Sequence, residues 1–303
     1  MRTYKQDARR DIGYEASMVF HVVLATSADD PAVTMSDRLY ADALERRGCR
    51  VTGAPWDGPC EGFAGADAVV LRSTWGYYRA LDAFRDWTES LSAATHLFNP
   101  IELVRWNLRK DYVAKLDAAG VRVPRSFVVP CDAKAVRQVF DETGWSRAVV
   151  KPASGASGHS VELLQRTTID RQVAGLSDEA RAAGVVVQEF LPEIADGELS
   201  LVYFDGVFSH ALRKRPPPGE FRSNSRFNPT RSAETPPSEV TAQGAACLAT
   251  LPTMPLYARV DGVVRDGTLI VIEVEVLEPA LFMEFDPSSA ERFAEATLKR
   301  LAR

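Results

Sequence analysis

The sequence predicts an α/β chain with an α+β middle block, and three observations predict it. Strand-like and helix-like patterns alternate up to about residue 105, a mixed block follows, and strands dominate from Val185 onward. With 303 residues, 46% hydrophobic and 25% charged, the chain has an ordinary composition for a compact fold and enough length for two or three cores.

The elements follow in order. Residues 1–17 are charged where a leader peptide needs an apolar run, so they are expected to form a loose extension before Met18. Residues 18–25 (MVFHVVLA) form a buried-strand run, and a polar loop leads to a helical pattern through Leu39, Ala43 and Leu44 that stops at Gly48. Strands are expected at 50–54 and 68–71, the second ending in the turn Arg72-Ser73-Thr74-Trp75-Gly76. In a parallel α/β unit ligands sit beyond the carboxyl ends of strands, so the loops 27–31 and 72–77 are candidates for substrate contact. The alternative at 72–75 is a packed turn with a buried indole.

One helix is expected over 107–119, stopped by Gly120, then a strand in VRVPRSFVVP and a helix over 133–142. A strand at 148–150, the stretch KPASGASGHS, a strand at 161–164 and a helix ending at Gly184 complete the middle block. Beyond it lie the strands VVVQEFL, LSLVYFDG and VFSHALRKR, and a pair around Arg265-Asp266-Gly267, with helices over 238–249 and 289–301. The Pro-rich polar stretch PPPGEFRSNSRFNPTRSAETPP is too long for a simple connector and reads as a lid or binding loop, or else as a disordered segment.

A formal charge of −5, with no basic stripe interleaved with aromatics, argues against a nucleic-acid partner. Cys49, Cys60, Cys131 and Cys247 are widely spaced and form no C-x-x-C pair, so they read as reduced thiols in a cytoplasmic protein. No uninterrupted apolar run is long enough to span a bilayer, and no membrane partner is expected.

Four stretches carry chemistry. In KPASGASGHS, glycine and serine after a strand let backbone N–H groups approach anionic oxygens, and Lys151 supplies a point charge for phosphate. It is not a Walker loop, and Gly/Ser loops are also ordinary hairpin connectors. Lys110 alone reads as a solvated helix residue. The strand ending in Gln188-Glu189-Phe190-Leu191 breaks at Pro192, leaving main-chain groups of the kind that read an adenine edge, and Glu198 could accept from ribose hydroxyls. In RVDGVVRDGTLIVIEVEVLEP, Glu273 and Glu275 project to one side, with Asp261 on the neighbouring strand and Arg259 on the same face. Converging carboxylates repel and lose hydration, which calls for a cation, and an oxygen-only set favours Mg2+ or Mn2+. The alternative is the solvated face of an edge strand. His159 reads as a solvated loop residue, and His21, His96 and His210 as core histidines.

In their order, Lys110, Lys151, Gln188 to Leu191, Glu198, Arg259, Asp261, Glu273 and Glu275 resemble the ATP-grasp superfamily of carboxylate ligases, from about Met18 to the end. The resemblance implies an ATP-grasp fold with a Rossmann-like pre-ATP-grasp domain at 18–106, a small subdomain at 107–191 and a large one at 192–303. It implies that Lys110 and Lys151 hold ATP phosphates under a loop at 154–160 containing Ser154, Gly155 and Gly158. Gln188, Glu189, Phe190 and Leu191 match the adenine hinge and Glu198 the ribose acid. Asp261, Glu273 and Glu275 match the ligands of Mg2+, with two ions expected and Mn2+ as a substitute, and Arg259 matches the arginine near the transferred phosphoryl group. Many such ligases have Asn where this chain has Glu275, which makes this site more acidic. The basic run Arg213-Lys214-Arg215 is implied to face the triphosphate or acyl phosphate, with Lys214 carried forward as its catalytic member.

A closer likeness lies in LRSTWGYY, NPIELVRWNLRKDY, LSLVYFDGVFSHALRKRPPPGEFR and LYARVDGVV. These are similar to a bacterial ATP-grasp subfamily that includes the D-cycloserine-forming cyclo-ligase, which closes O-ureido-D-serine into a ring. The likeness implies ATP- and Mg2+-dependent activation of a carboxylate, with Arg72, Ser73, Thr74, Arg222, Asn224 and Arg226 contacting a small amino-acid-like substrate. The stretch SNSRFNPTR stands where relatives carry Gly-Gly, which fits a specialised substrate loop. Alternatives are an intermolecular amino-acid or peptide ligase and an ATP-binding regulatory protein without catalysis; a homo-oligomer is compatible with each.

Overall fold

Residues 19–155 and 158–303 are described in a computed structural model, and they form three sheets. The expected extension 1–17, the strand start at Met18, and Ala156 and Ser157 of the Gly/Ser loop lie outside the described residues.

The first sheet is parallel, in the order β2-β1-β3-β4. Its elements are β1 (His21–Thr26), α1 (Met35–Glu45), β2 (Arg50–Pro55), β3 (Ala68–Leu71), α2 (Leu81–Ala94) and β4 (His96–Phe98). Val22 to Ala25 and Ala68 to Leu71 are fully buried, as central parallel strands covered on both faces must be. α1 begins where the Thr34 hydroxyl accepts from the Asp37 N–H. His210 is buried, as expected, but His96 is exposed at the start of β4, because its strand contributes only Leu97 and Phe98 to the core.

The single helix expected over 107–119 is two, α3 (Ile101–Asn107) and α4 (Tyr112–Ala118). The break comes where the Lys110 N–H donates to the carbonyl of Ala153, 2.7 Å away on another segment, instead of continuing a helical ladder. Tyr112, Val113 and Leu116 of α4 pack into the core of the last sheet, so this helix is not buried with the middle block it precedes.

The middle sheet runs β5-β8-β6-β7 with every pair antiparallel. It comprises β5 (Ser126–Val129), α5 (Ala133–Thr143), β6 (Arg147–Pro152), β7 (Glu162–Gln165), α6 (Ile169–Ala174), α7 (Asp178–Ala183) and β8 (Val185–Glu189). The one helix expected before Gly184 is thus two, parted around Gly175, which ends α6. A separate core, including Val136, Phe140, Val150 and Val187, lies beneath this sheet.

The last sheet, β11-β10-β9-β12-β13, is antiparallel. Its elements are β9 (Glu198–Phe204), β10 (Val207–Arg215), β11 (Thr230–Glu234), α8 (Ser238–Leu248), β12 (Tyr257–Arg265), β13 (Thr268–Glu275) and α9 (Ser288–Leu301). The Pro-rich stretch is not loop throughout, since residues 230–234 form the edge strand β11 against β10. Asp266 and Gly267 both take positive φ, 51° and 74°, as a two-residue hairpin turn between β12 and β13 requires.

The first and last sheets share a seam. Phe293 of α9 stacks on Tyr40 and on Phe204, with ring centroids 3.9 and 4.6 Å apart. The Tyr257 hydroxyl lies 2.8 to 3.1 Å from the carbonyls of Leu71, Phe98 and Leu277. Asn99 donates to the carbonyls of Tyr257 and Val276 and accepts from the Leu256 N–H. The four cysteines are free thiols, and among the described residues no helix is long and apolar enough to cross a membrane.

Candidate active site

A cleft of about 420 Å3 is lined by the middle sheet, the β12–β13 hairpin and the turn after β3. The hairpin supplies its charged wall. Asp261 lies directly opposite Glu273, and Arg259 opposite Glu275, so all four side chains share one face. Just beyond, Gly262 pairs with Val271, leaving Ile272 as an extra residue in β13. A Cβ at Gly262 would come within 2.4 Å of the Ile270 carbonyl oxygen, so only glycine permits this approach.

Each of the three acids is held by a base. Arg259 donates to Asp261 at 2.8 to 3.0 Å and to Glu275 at 2.6 Å. Lys110 pairs with Glu273. Lys214 stands 2.6 Å from Glu198 and 3.7 Å from Asp261, which also accepts from the Ser200 hydroxyl. The electrostatics differ sharply along the face. Burial pushes the Asp261 carboxyl up, but Arg259 and Lys214 outweigh it and hold the group down at about 2. Burial likewise opposes Glu273, whose pKa Lys110 and Lys151 keep below the usual range. At Glu275 burial wins over Arg259, and with the neighbouring acids it raises the group to about 7. Glu278, three residues on, is raised to about 8 by burial and then by Glu275.

Among the described residues, no three acid, histidine or cysteine side chains already form a metal-binding group. The donors nevertheless suit a hard divalent cation, because Asp261, Glu273 and Glu275 offer only carboxylate oxygens on one sheet face. Glu275, raised chiefly by burial and then by Glu273 and Asp261 beside it, gains most from a cation placed on this face.

Lys151, at the end of β6, is 5% exposed and lines the cleft, and burial lowers its pKa to about 8. Gly155 and Gly158 of the following loop also line the cleft, whereas Ser154 is buried away from it. Gly158 has φ 67°, and a Cβ there would meet the Asn224 side-chain oxygen at 2.5 Å, so this loop touches the one after β10. His159, in a loop turn with its side chain 35% exposed, lines the cleft and stacks on Tyr78 at 5.5 Å.

Gln188, Glu189, Phe190 and Leu191 line an apolar slot with Val149, Ile194 and Ile272. Gln188 turns its amide to the Ser126 hydroxyl, and the Arg147 guanidinium lies 4.1 Å over the Phe190 ring. Glu198 faces the cleft between Lys214 and Ser223. Of the basic run, Lys214 alone turns inward; Arg213 pairs with Glu234 of β11, and Arg215 is exposed. Arg222, Asn224 and Arg226 line the cleft, though Arg222 is tied to Glu220 and to the Val161 carbonyl.

The turn after β3 departs from expectation. Arg72 is buried, 2.7 Å from Asp37, and donates to the Pro279 carbonyl, while Ser73 and Thr74 are fully buried and line no part of the cleft. The segment around Pro279 covers this strand end, so Trp75, 38% exposed, and Tyr77 reach the cleft instead. The indole of the packed-turn alternative is therefore the exposed member of the turn.

Two cleft residues had gone unread. Asn107 donates to the Val274 carbonyl and accepts from the Val276 N–H, occupying the free edge of β13; a helix-end asparagine gives no sign of that in sequence. Glu278, in the apolar run VLEPALF, carried the same signal as Glu273 and Glu275, an acid without local reason.

Residues 22–99 match the family described as D-cycloserine synthetase DcsG, N-terminal domain, and residues 117–256 match the prokaryotic glutathione synthetase ATP-grasp domain. The chain is 36% identical over 275 residues to the cycloserine biosynthesis protein DcsG of Streptomyces lavendulae, covering 84% of this chain and 91% of that one. It is 28% identical over 190 residues to a glutathione synthetase of Synechocystis sp., covering 60% and 55%. A crystal structure of D-cycloserine synthetase DcsG superposes with a TM-score of 0.82 at 31% identity, over 93% of this chain and 99% of that one. A D-alanine–D-alanine ligase from Bacillus anthracis shares the fold, with a TM-score of 0.66 at 16% identity over 95% and 98%.

Proposed function

The chain belongs to the ATP-grasp ligases, in the family of the D-cycloserine synthetase DcsG, and from that premise we propose that this ATP-dependent ligase closes O-ureido-D-serine into D-cycloserine. The observation that carries the reading is one cleft in which Lys110, Lys151 and Arg259 face Asp261, Glu273 and Glu275 beside an apolar slot, with Lys214 buried behind Glu198 and Asp261. That is the charge pattern of a metal-bound triphosphate with its base.

On this reading adenine lies in the slot at Gln188 to Leu191, Glu198 accepts from the ribose, and Lys110 and Lys151 hold phosphate oxygens. Asp261, Glu273 and Glu275 would hold Mg2+, two ions on our reading, which when bound offsets charge on the phosphoryl oxygens. A substrate carboxylate oxygen attacks the γ-phosphorus, the bond to the bridging oxygen breaks, and ADP leaves. The ureido nitrogen bonded to oxygen then attacks the acyl carbon, loses a proton, and expels phosphate as the ring closes. Water then cleaves the carbamoyl group from that nitrogen, which leaves as carbamate and breaks down to ammonia and CO2, giving D-cycloserine. Arg259 and Lys214 stabilise the anionic oxygens of that passage. Holding one molecule bent supplies part of the rate, because the nucleophile need not be gathered from solution. The contact between Gly158 and Asn224 supports a closed pair of loops that keeps water from the acyl phosphate. On the same reading, residues 18–106 are the pre-ATP-grasp unit and 107–191 and 192–303 the two subdomains, with α4 packing across the boundary. The free thiols suit a cytoplasmic setting.

The test is ADP release with O-ureido-D-serine, with the product weighed by mass spectrometry. Ring formation from one organic substrate is the expected result; a product containing two would make the reaction intermolecular. If no carboxylate stimulates ATP hydrolysis, the ligase mechanism fails for this chain.

A further inference from the structure

The charged groups at the phosphoryl end of the cleft pair among themselves, with two left over, while Glu189 in the Gln188–Leu191 slot and Arg226 in the loop after β10 also line the cleft without an ion pair. Lys110 holds Glu273, Lys214 holds Glu198 and Asp261, and Arg259 holds Asp261 and Glu275. Among the described residues, Lys151 pairs with no acid and Glu278 with no base, and both line the cleft. A surplus cation suits the phosphates already assigned to Lys151. A surplus acid in a half-buried cleft, beside the acid Glu275, is unfavourable until a cation arrives.

The backbone around Glu278 is fixed on both sides. The carbonyl of Leu277 accepts from Tyr257, that of Pro279 from Arg72, that of Ala280 from Arg259 and that of Leu281 from His210. Four buried side chains thus hold a five-residue segment whose one acid turns to the cleft, the arrangement expected of a preformed contact. Its place along the cleft can also be read. Arg72, in the same turn as Trp75, holds the Pro279 carbonyl beside Glu278, and Trp75, Tyr77 and Glu278 line one cleft. Arg259, which binds Ala280, brings the acyl-phosphate region next to it.

We infer that Glu278 receives the α-ammonium group of the substrate, so that the enzyme selects amino-acid carboxylates over carboxylates that lack the amine. This rests on the ligase reading above. A zwitterion presents opposite charges on adjacent carbons; with its carboxylate directed to the phosphoryl face, its ammonium meets the one acid there that no base holds. The contact is binding alone: the ammonium donates hydrogen bonds, and no bond is made or broken.

The test compares O-ureido-D-serine with 3-(ureidooxy)propanoate, the same molecule without the amine, by ADP release over a range of concentrations. The wild-type chain is expected to show a KM about 10- to 100-fold higher for the compound without the amine, the effect of one charge-assisted hydrogen-bonded contact. In Glu278→Gln that ratio should fall close to one, because the amide keeps the shape and loses the charge. Calorimetric titration of the amino compound into ADP-saturated protein should show the same loss in the variant, without depending on turnover. A wild-type chain that handles both compounds equally overturns this inference and leaves the ligase reading standing, and so does a variant that keeps the full ratio. A wild-type chain that turns over no carboxylate overturns both.

Discussion

Lys151 illustrates what single residues in this cleft give up. Burial holds its pKa at about 8, against 10.5 for an exposed lysine. Between those values the unfolded chain binds more protons than the folded one, so stability rises with pH through that window, and a cost of roughly 3 kcal/mol is fully present below pH 8. Lys151→Met is therefore expected to melt several degrees higher than wild type at pH 7 while losing ATP binding; a lower melting temperature would contradict the assigned strain. In the wild type, ATP affinity should decline as pH rises past about 8, and in Lys151→Arg it should stay flat over that range. At this scale the acidic face was legible because a period of two fixes which side chains share a face, so Asp261, Glu273 and Glu275 could be grouped from spacing alone. Arg72 was not, because its partner Asp37 lies on another element and nothing local marks it as buried.

The β12–β13 hairpin is the element that sets the site, and its bulge sets the hairpin. Gly262→Ala would force a methyl group against the Ile270 carbonyl, so the strands must part where Asp261 meets Glu273. The expected outcome is loss of several kcal/mol in urea unfolding, with activity falling at least tenfold even where the fold survives, since displacement of about 1 Å at such a site is costly. A fully active Gly262→Ala would mean the bulge does not position the acids. Strand patterns were read well because alternation is a local signal. The break at Lys110 was hidden because a long-range bond to Ala153 causes it, and β11 was hidden because TRSAE is polar and becomes a strand only by pairing with β10.

Across the whole molecule, Asn99 and Tyr257 join the first and last sheets through hydrogen bonds that no local pattern announces. Asn99→Ala leaves two carbonyls and one N–H without partners, and should lower unfolding free energy by about 2–5 kcal/mol in denaturant melts; a change under about 0.5 kcal/mol would show that the seam does not depend on it. The fold class was legible at this scale, since alternating elements and then strands imply separate layers, but the seam comes from contacts far apart in sequence. The same distance in sequence separates Lys110 from Glu273, and their pairing makes binding at the acidic face an exchange rather than an addition. On the proposed assignment, a triphosphate arriving alone would take Lys110 and leave a bare carboxylate, and a divalent cation arriving alone would take Glu273 and strand an ammonium. Arriving together, they swap partners with no charge left uncompensated, so each must strengthen the binding of the other by the same factor. Titrations of Mg2+ with and without bound ADP, and of ADP with and without Mg2+, should close that thermodynamic cycle with a coupling of about tenfold or more, and independent binding would show that the Lys110–Glu273 pair does not link the two.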